Sequence, residues 1–107
     1  MKGFVMGDVP DELKKYRDEI DVCDRALVEA LIRRFDVVRR VGEFKNNAQM
    51  DAVQPARAQA VKDQAIEWGV SQGLSDDFMR RLYDMVIDYA HEIEHEILDD
   101  ATQDVRS

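Results

Sequence analysis

The sequence predicts an all-α domain built from three helices. Only two prolines and five glycines occur in 107 residues, so helix-breaking residues are scarce. Apolar residues recur at steps of three and four in three successive stretches, whereas no stretch alternates polar and apolar residues as a strand does. The length allows one small domain, which we place at residues 10–100, between an amino-terminal tail at 1–9 and a carboxyl-terminal tail at 101–107.

The first helix is predicted over residues 10–46. Pro10 stands at its first position, and Asp11 and Glu12 follow where negative charge suits the helix dipole. No breaker interrupts it before Gly42, and its apolar positions are Leu13, Tyr16, Ile20, Cys23, Leu27, Ala30, Leu31, Val37, Val38 and Val41. At 1.5 Å per residue this helix is about 54 Å long. A compact monomer of this size is shorter, so the apolar stripe predicts a second copy of the chain as its partner.

Two shorter helices follow a loop predicted at residues 46–49. Pro55 marks the first position of the second helix, which we expect to end near Gly73 as its cap. The stripe of this helix consists of Arg57, Val61, Ala65 and Trp68. Ser75 opens the third helix, which is predicted to continue to about Asp100. Its apolar positions are Phe78, Leu82, Met85, Val86, Tyr89, Ile93 and Ile97.

The distribution of charge excludes several classes of partner. With 23 acidic and 15 basic residues the net charge is −8, which repels nucleic acid and anionic membrane surfaces. Residues 31–45 differ, with five basic and two acidic side chains, and such an island is either a solvated helix face or a site for a small anion. No signal-peptide run, no stretch of 18 apolar residues and only one cysteine occur, so we predict a cytoplasmic protein.

Four basic residues and one acid occupy apolar helical stripes. Charged groups lose hydration there, so such positions deserve more weight than charges on solvated faces. They are Arg17, Arg34, Lys45, Arg57 and Glu94. Taken singly, each can be interpreted as a residue at the edge of the apolar stripe whose charged end reaches water, or as half of a buried ion pair. Together they predict a pocket for a small dicarboxylate, because guanidinium groups bind carboxylates in a bidentate manner.

The spacing of these residues bears on which of them can share a site. Lys45 lies eleven residues beyond Arg34, so the two are about 20° apart around the helix axis. Arg17 lies about 25 Å from Arg34 along the axis and about 100° around it, so one straight helix cannot direct both at one small ligand. If both serve one site, a second subunit supplies one of them. Glu94 has apolar neighbours at helical steps, which favours the neutral acid.

The segment from His91 to His95 offers a competing interpretation. It matches H-E-x-x-H, a pattern that places two imidazoles on one helix face for zinc, with Glu92 as general base. A third ligand would have to be a residue such as Asp99, and the two histidines align with acidic residues on a face that reads as solvated. We therefore predict no metal site and no cofactor.

Several runs of residues resemble a known family. They are Arg17, the I-x-x-x-D run from Ile20 to Asp24, the block from Leu27 to Arg34, the V-G-x-x-K run from Val41 to Lys45, Arg57, and the L-Y-x-x-V-I run from Leu82 to Ile87. Together they resemble the all-helical class of chorismate mutases over about residues 10–100. The resemblance implies three-helix chains that form an intertwined homodimer, with each active site built from both subunits. The length and apolar stripe predicted for the first helix independently indicate such a partner.

The resemblance also implies a role for each charged residue. Arg17 of the partner subunit and Arg34 would hold the substrate carboxylates, and Arg57 would clamp or order a carboxylate. Lys45 would donate to the ether oxygen of the enolpyruvyl group, and Glu94 would act on the same oxygen. A pericyclic rearrangement needs no nucleophile or proton relay, so catalysis consists of holding the reactive conformer and stabilising charge at the breaking C–O bond.

Three positions depart from the family pattern near the ring substituent. Gln54, which we place among the substrate-binding residues, stands where many mutases have Asp, Ala58 where they have Glu, and Ala90 where a small polar residue is common. We predict a chorismate mutase that forms prephenate for aromatic amino acid biosynthesis. Alternatives are an isochorismate-pyruvate lyase, which residues 54–57 and Trp68 resemble, an aminodeoxychorismate mutase, and a non-enzymatic helical dimer that binds a small dicarboxylate.

Overall fold

The computed structural model describes the backbone of residues 9–106 and the side chains of residues 9–99. Within this range the chain forms three α-helices and no strand, which confirms the all-α class predicted from the sequence. The helices are α1 (Asp11–Ala48), α2 (Pro55–Ser71) and α3 (Asp76–Arg106). None of the described helices is both long and apolar enough to cross a membrane. Residues 1–8 of the predicted amino-terminal tail and residue 107 lie outside the described part.

The chain divides into two compact units, Met1–Arg34 and Phe35–Ser107. In the first unit, α1 begins with Asp11 and Glu12 in its first turn, where the sequence places acidic residues. Most of its large apolar side chains are exposed, with Leu27 at 58%, whereas Leu31 is half-buried. The other exposed ones are Leu13, Tyr16, Ile20, Val22, Val28 and Ile32. The predicted stripe is therefore exposed at four of these positions, Leu13, Tyr16, Ile20 and Leu27, and the exposed surface also includes apolar residues outside it.

In the second unit, α1 ends at Ala48 in a Schellman turn. Gln49 adopts a φ of 58°, in the left-handed region. The Gln49 N–H donates to the Asn46 carbonyl at 3.2 Å, and the Met50 N–H donates to the Lys45 carbonyl at 2.8 Å. These bonds satisfy carbonyl groups that the end of a helix otherwise leaves unpaired. Most of the loop predicted at this point is therefore helical.

The end of α2 repeats this cap. Gly73 has a φ of 98°, and its N–H donates to the Val70 carbonyl at 3.0 Å. The Leu74 N–H donates to the Gly69 carbonyl at 3.0 Å. The predictions that α2 begins at Pro55 and that Gly73 caps its end are both confirmed.

The start of α3 follows the prediction, but its end does not. The Ser75 hydroxyl accepts a hydrogen bond from the Phe78 N–H at 3.1 Å, as an N-cap side chain does. The helix continues to Arg106 instead of ending near Asp100. Residues 101–106, which the sequence assigns to a tail, are helical because no glycine or proline follows Asp100 to stop the helix.

A small core joins α2 and α3. Its buried apolar side chains in these helices are Ile66, Met79, Val86, Ala90 and Ile93. Phe35 from α1 is also buried, and its ring meets that of Tyr89 edge to face, with centroids 4.7 Å apart. Trp68 remains 72% exposed, so the predicted apolar stripe of α2 does not lie wholly in the core.

Candidate functional site

An ion pair between α1 and α3 forms the centre of the candidate site. The Nζ of Lys45 donates to the Oε1 of Glu94 at 2.6 Å. Both side chains are largely buried, with 14% of Lys45 and 8% of Glu94 exposed. Both residues belong to the unit Phe35–Ser107. The structure therefore brings together the two residues that the sequence proposes as catalytic.

A main-chain carbonyl also binds the Lys45 ammonium. The Nζ of Lys45 lies 2.8 Å from the oxygen of Ala52, a buried residue in the connection between α1 and α2. An ammonium has three N–H donors, so these two bonds leave room for a third bond to a ligand. The sequence gives no sign of this acceptor, because a main-chain carbonyl has no residue-type signature.

The partner of Glu94 differs from what its apolar neighbours suggest. That pattern favours a neutral acid, whereas the structure places an ammonium 2.6 Å from the carboxyl group. Burial of a carboxylate is costly unless an opposite charge and hydrogen bonds compensate it. Lys45 supplies both. Periodicity alone does not reveal the pair, because its members are 49 residues apart in the sequence.

Helix α3 approaches α1 closely at Gly42, which is buried. A β-carbon at this position would lie 2.9 Å from the Cδ1 of Ile97 and 3.5 Å from the Cα of Glu94. A methyl group at position 42 would therefore displace the end of the Ile97 side chain, and a larger side chain would press on the helix that holds Glu94. The only sign in the sequence is a glycine inside an otherwise unbroken helical pattern, three residues before Lys45.

The start of α2 holds the two other predicted site residues of this unit. The carbonyl of Gln54 accepts hydrogen bonds from the N–H groups of Arg57 at 3.0 Å and Ala58 at 3.1 Å. The Gln54 side chain makes no capping bond, and the side chains of Gln54 and Arg57 are both exposed. Ala52, whose carbonyl binds Lys45, lies two residues before Gln54. The short connection between α1 and α2 therefore supplies both the Ala52 carbonyl and Gln54.

The remaining two predicted residues belong to the unit Met1–Arg34. Arg17 is exposed on α1. Arg34 is half-buried and already has an interaction partner. Of the six residues proposed from the sequence, the structure brings Lys45 and Glu94 into direct contact. A shared site for the other four stays a prediction.

A pocket of about 290 Å³ lies beside Ala58. Lys62 and Asp84 line it and form an ion pair with 2.6 Å between Nζ and Oδ1. Asp88 contributes a second carboxylate to the lining. Ala90, the other small residue that departs from the family pattern, is buried one turn before Glu94. The position where many mutases have Glu thus borders an open space with acidic side chains.

The histidine motif lies on α3. His91 is half-buried and His95 is exposed. Among the residues that the structure describes, no three His, Cys, Asp or Glu side chains are grouped to hold a metal ion. Glu94, at the centre of the motif, is bonded to Lys45.

Comparison with known proteins agrees with the resemblance seen in the sequence. The chain is 34% identical over 77 residues to a 4-amino-4-deoxychorismate mutase of Streptomyces venezuelae, covering 72% of this chain and 75% of that protein. A protein of the same name from Streptomyces pristinaespiralis is 34% identical over 86 residues, or 80% of this chain and 67% of that protein. A T-protein of Enterobacter agglomerans is 33% identical over 75 residues, which cover 66% of this chain but 20% of that protein.

The sequence profile of one family covers most of the chain. It is described as chorismate mutase type II, and it matches residues 16–95. The match includes every residue that the sequence proposes for the site, from Arg17 to Glu94. The chain therefore belongs to the chorismate mutase type II family.

Proposed function

We propose that this chain rearranges chorismate to prephenate, with Lys45 and Glu94 acting at the ether C–O bond that breaks. Membership of the family makes the protein an isomerase of the chorismate mutase class. The observation that supports the roles of the two residues is their contact at 2.6 Å in a largely buried position. A charged pair in such a position is a candidate for function rather than for surface solvation.

The proposed chemistry needs a fixed hydrogen-bond donor. In the rearrangement one C–O bond breaks while one C–C bond forms, and negative charge develops on the ether oxygen. The Lys45 ammonium is held by Glu94 and by the Ala52 carbonyl, so it is oriented before the substrate arrives. A donor that is oriented in advance stabilises developing charge without reorganisation, and one such donor is worth on the order of 10²–10³ in kcat.

Glu94 has two functions in this proposal. As a carboxylate it orients Lys45 through their hydrogen bond. Once it has taken up a proton, its carboxyl group donates to the same ether oxygen, because a carboxyl group donates a hydrogen bond only while it is protonated.

The substrate carboxylates are bound by arginines and the sites are shared in a homodimer. Arg34 and Arg57 of one chain and Arg17 of the partner subunit hold the two carboxylates, and Gln54 lies near the ring substituent. Guanidinium groups suit this task because they bind carboxylates through two parallel hydrogen bonds. The exposed apolar side chains of α1 support the dimer, because a second copy would remove them from water.

Product analysis tests this proposal directly. Purified protein is incubated with chorismate and, separately, with isochorismate. Formation of prephenate from chorismate supports the proposal. Release of salicylate and pyruvate from isochorismate identifies a lyase instead. Binding of either compound, with turnover of neither nor of 4-amino-4-deoxychorismate, favours a non-enzymatic protein that binds a small dicarboxylate.

A second candidate substrate is 4-amino-4-deoxychorismate. Two Streptomyces relatives are named for that activity. Ala58 and Gln54 offer no carboxylate to a ring hydroxyl, whereas Asp88 lines the pocket beside Ala58, in which Asp84 is paired with Lys62. Carboxylates are strong acceptors for a charged amine. The ratio of kcat/KM for the aminated and hydroxylated substrates decides between the two.

Two further predictions from the sequence stay predictions. Residues 10–100 are the proposed limits of the functional domain, and the cytoplasm is the proposed location. The rearrangement as proposed uses only the substrate and side chains of the protein, so no cofactor takes part.

A further inference from the structure

We propose that Gly42 is a positioning residue that sets the distance between Lys45 and Glu94, an inference that rests on the proposed function of this pair. Gly42 is buried in α1, three residues before Lys45. A β-carbon at position 42 would lie 2.9 Å from the Cδ1 of Ile97 and 3.5 Å from both the Cα and the Cγ of Glu94. The absence of a side chain thus permits the close approach of α3 at the residue that binds Lys45.

Helix geometry connects Gly42 with the lysine as well. Residues three apart in a helix lie on the same face, and helical side chains lean toward the amino terminus of the helix. The side chain of Lys45 is therefore directed over the turn that contains Gly42. A β-carbon at position 42 would be in contact with the Cγ of Glu94 at 3.5 Å, so a larger substituent would compete with the Glu94 side chain for space.

The size of a substituent at position 42 determines how far the pair moves. The nearest atom, Ile97 Cδ1, is the end of a flexible side chain and yields to a methyl group with a small shift. The Cα of Glu94 is backbone, so the branches of a larger side chain would push α3 away from α1. A misplacement of about 1 Å at a reacting group is enough to lower a rate by about 100-fold.

Gly69 provides a matched control. It is buried in α2, and a β-carbon there would lie 2.8 Å from the Sδ and 2.9 Å from the Cε of Met79. Met79 precedes Glu94 by fifteen residues in α3, which is about 22 Å along the helix. Substitution by alanine thus adds a methyl group at a close contact between two helices at position 42 and at position 69. Only position 42 lies next to the Lys45–Glu94 pair.

The kinetic test compares Gly42→Ala, Gly42→Val and Gly69→Ala in the full chain. We expect kcat per folded protein to fall about tenfold in Gly42→Ala and about 100-fold in Gly42→Val, with KM changed little, and to stay within about twofold in Gly69→Ala. Adding Ile97→Val to Gly42→Ala removes the nearest atom and should restore most of kcat. A loss of kcat in Gly42→Ala that does not recover on adding Ile97→Val overturns the proposal.

A measurement without substrate separates this inference from the proposed function. A double-mutant cycle of Lys45→Met and Glu94→Gln in urea unfolding gives the coupling free energy of the pair. We expect this coupling to fall by about half or more when the cycle is repeated with Gly42→Ala. Unchanged coupling overturns the positioning role. Weakened coupling with unaltered kcat confirms that Gly42 holds the pair and shows that the pair has no catalytic role.

Discussion

The ammonium of Lys45 lies 2.8 Å from the main-chain oxygen of Ala52, seven residues further along the chain. The carbonyl of Lys45 itself accepts the N–H of Met50 at 2.8 Å. The turn that ends α1 therefore fixes this residue both at its backbone and at the end of its side chain. The conformation of this turn determines where the proposed hydrogen-bond donor lies.

Replacement of Lys45 by methionine should remove activity and stability together. The aliphatic chain is retained, but the ether oxygen loses its donor, so kcat should fall by about 10²–10³. Glu94 would keep a buried carboxyl group without its ammonium, so the free energy of unfolding should fall by about 3 kcal/mol. Turnover assays and urea unfolding measure the two effects.

Lys62→Met is the matched control for stability. Lys62 forms an ion pair of the same length with Asp84, but 56% of the Asp84 side chain is exposed. Water screens such a pair, so its loss should change the free energy of unfolding by about 0–1 kcal/mol. Equal losses in Lys45→Met and Lys62→Met would contradict the role assigned to burial.

Replacement of Glu94 by glutamine should keep more activity than replacement by alanine. An amide keeps an oxygen that accepts from Lys45 and N–H groups that donate to the ether oxygen, whereas alanine offers neither. We expect kcat to fall by about 10²–10³ in Glu94→Ala and by less in Glu94→Gln. Turnover assays of the two variants test this, and equal losses in both would rule out the donor role.

Replacement of Gln49 by glycine should stabilise the fold. Gln49 has a φ of 58°, where a β-carbon is unfavourable and glycine is not. The free energy of unfolding should rise by about 0.5–1 kcal/mol in Gln49→Gly. Gly73→Ala should lower the free energy of unfolding by about 1 kcal/mol, since Gly73 has a φ of 98°, which is unfavourable for a residue with a β-carbon. A β-carbon at position 73 would meet no atom within 4 Å, so this loss comes from the backbone conformation and not from a clash.

Mixed dimers test whether the sites are shared. Arg17→Ala and Lys45→Ala chains should each be inactive as homodimers. If Arg17 of the partner subunit completes the site of Lys45, a mixed dimer contains one intact site, and activity should reappear after the chains exchange. Mass spectrometry shows whether the chains have exchanged. If they have and activity does not recover, Arg17 acts within its own chain or has no role.

Local signals predicted the fold. Helical periodicity, Pro55, Gly73 and Ser75 act within a few residues, so they define most helix boundaries. The end of α1 was misplaced because its cap uses Gln49 in a left-handed conformation that this residue type seldom adopts. The predicted end of α3 lies too early because a polar composition suggests a tail, although polar residues continue a helix readily.

The sequence singles out Lys45 and Glu94 as candidate site residues, but it does not reveal the contacts that they make. Charge on apolar stripes singled out Lys45 and Glu94, because burial of a charge leaves a pattern in the sequence. Their direct bond was not predicted, since it joins residues from two helices and depends on tertiary packing. The approach of α3 at Gly42 and the carbonyl of Ala52 depend on backbone placement, which residue types do not encode.

The exposed apolar side chains of α1 have a consequence for the amount of protein that is folded. Leu27 and Ile20 expose 58% and 56% of their surface. In the proposed homodimer a second copy covers them and binds only the folded chain, so its binding free energy would add to stability in proportion to the logarithm of concentration. The melting temperature should then rise with concentration. In that case a cell that makes less of this protein would lose a larger fraction of its folded chains, and activity would fall more steeply than abundance.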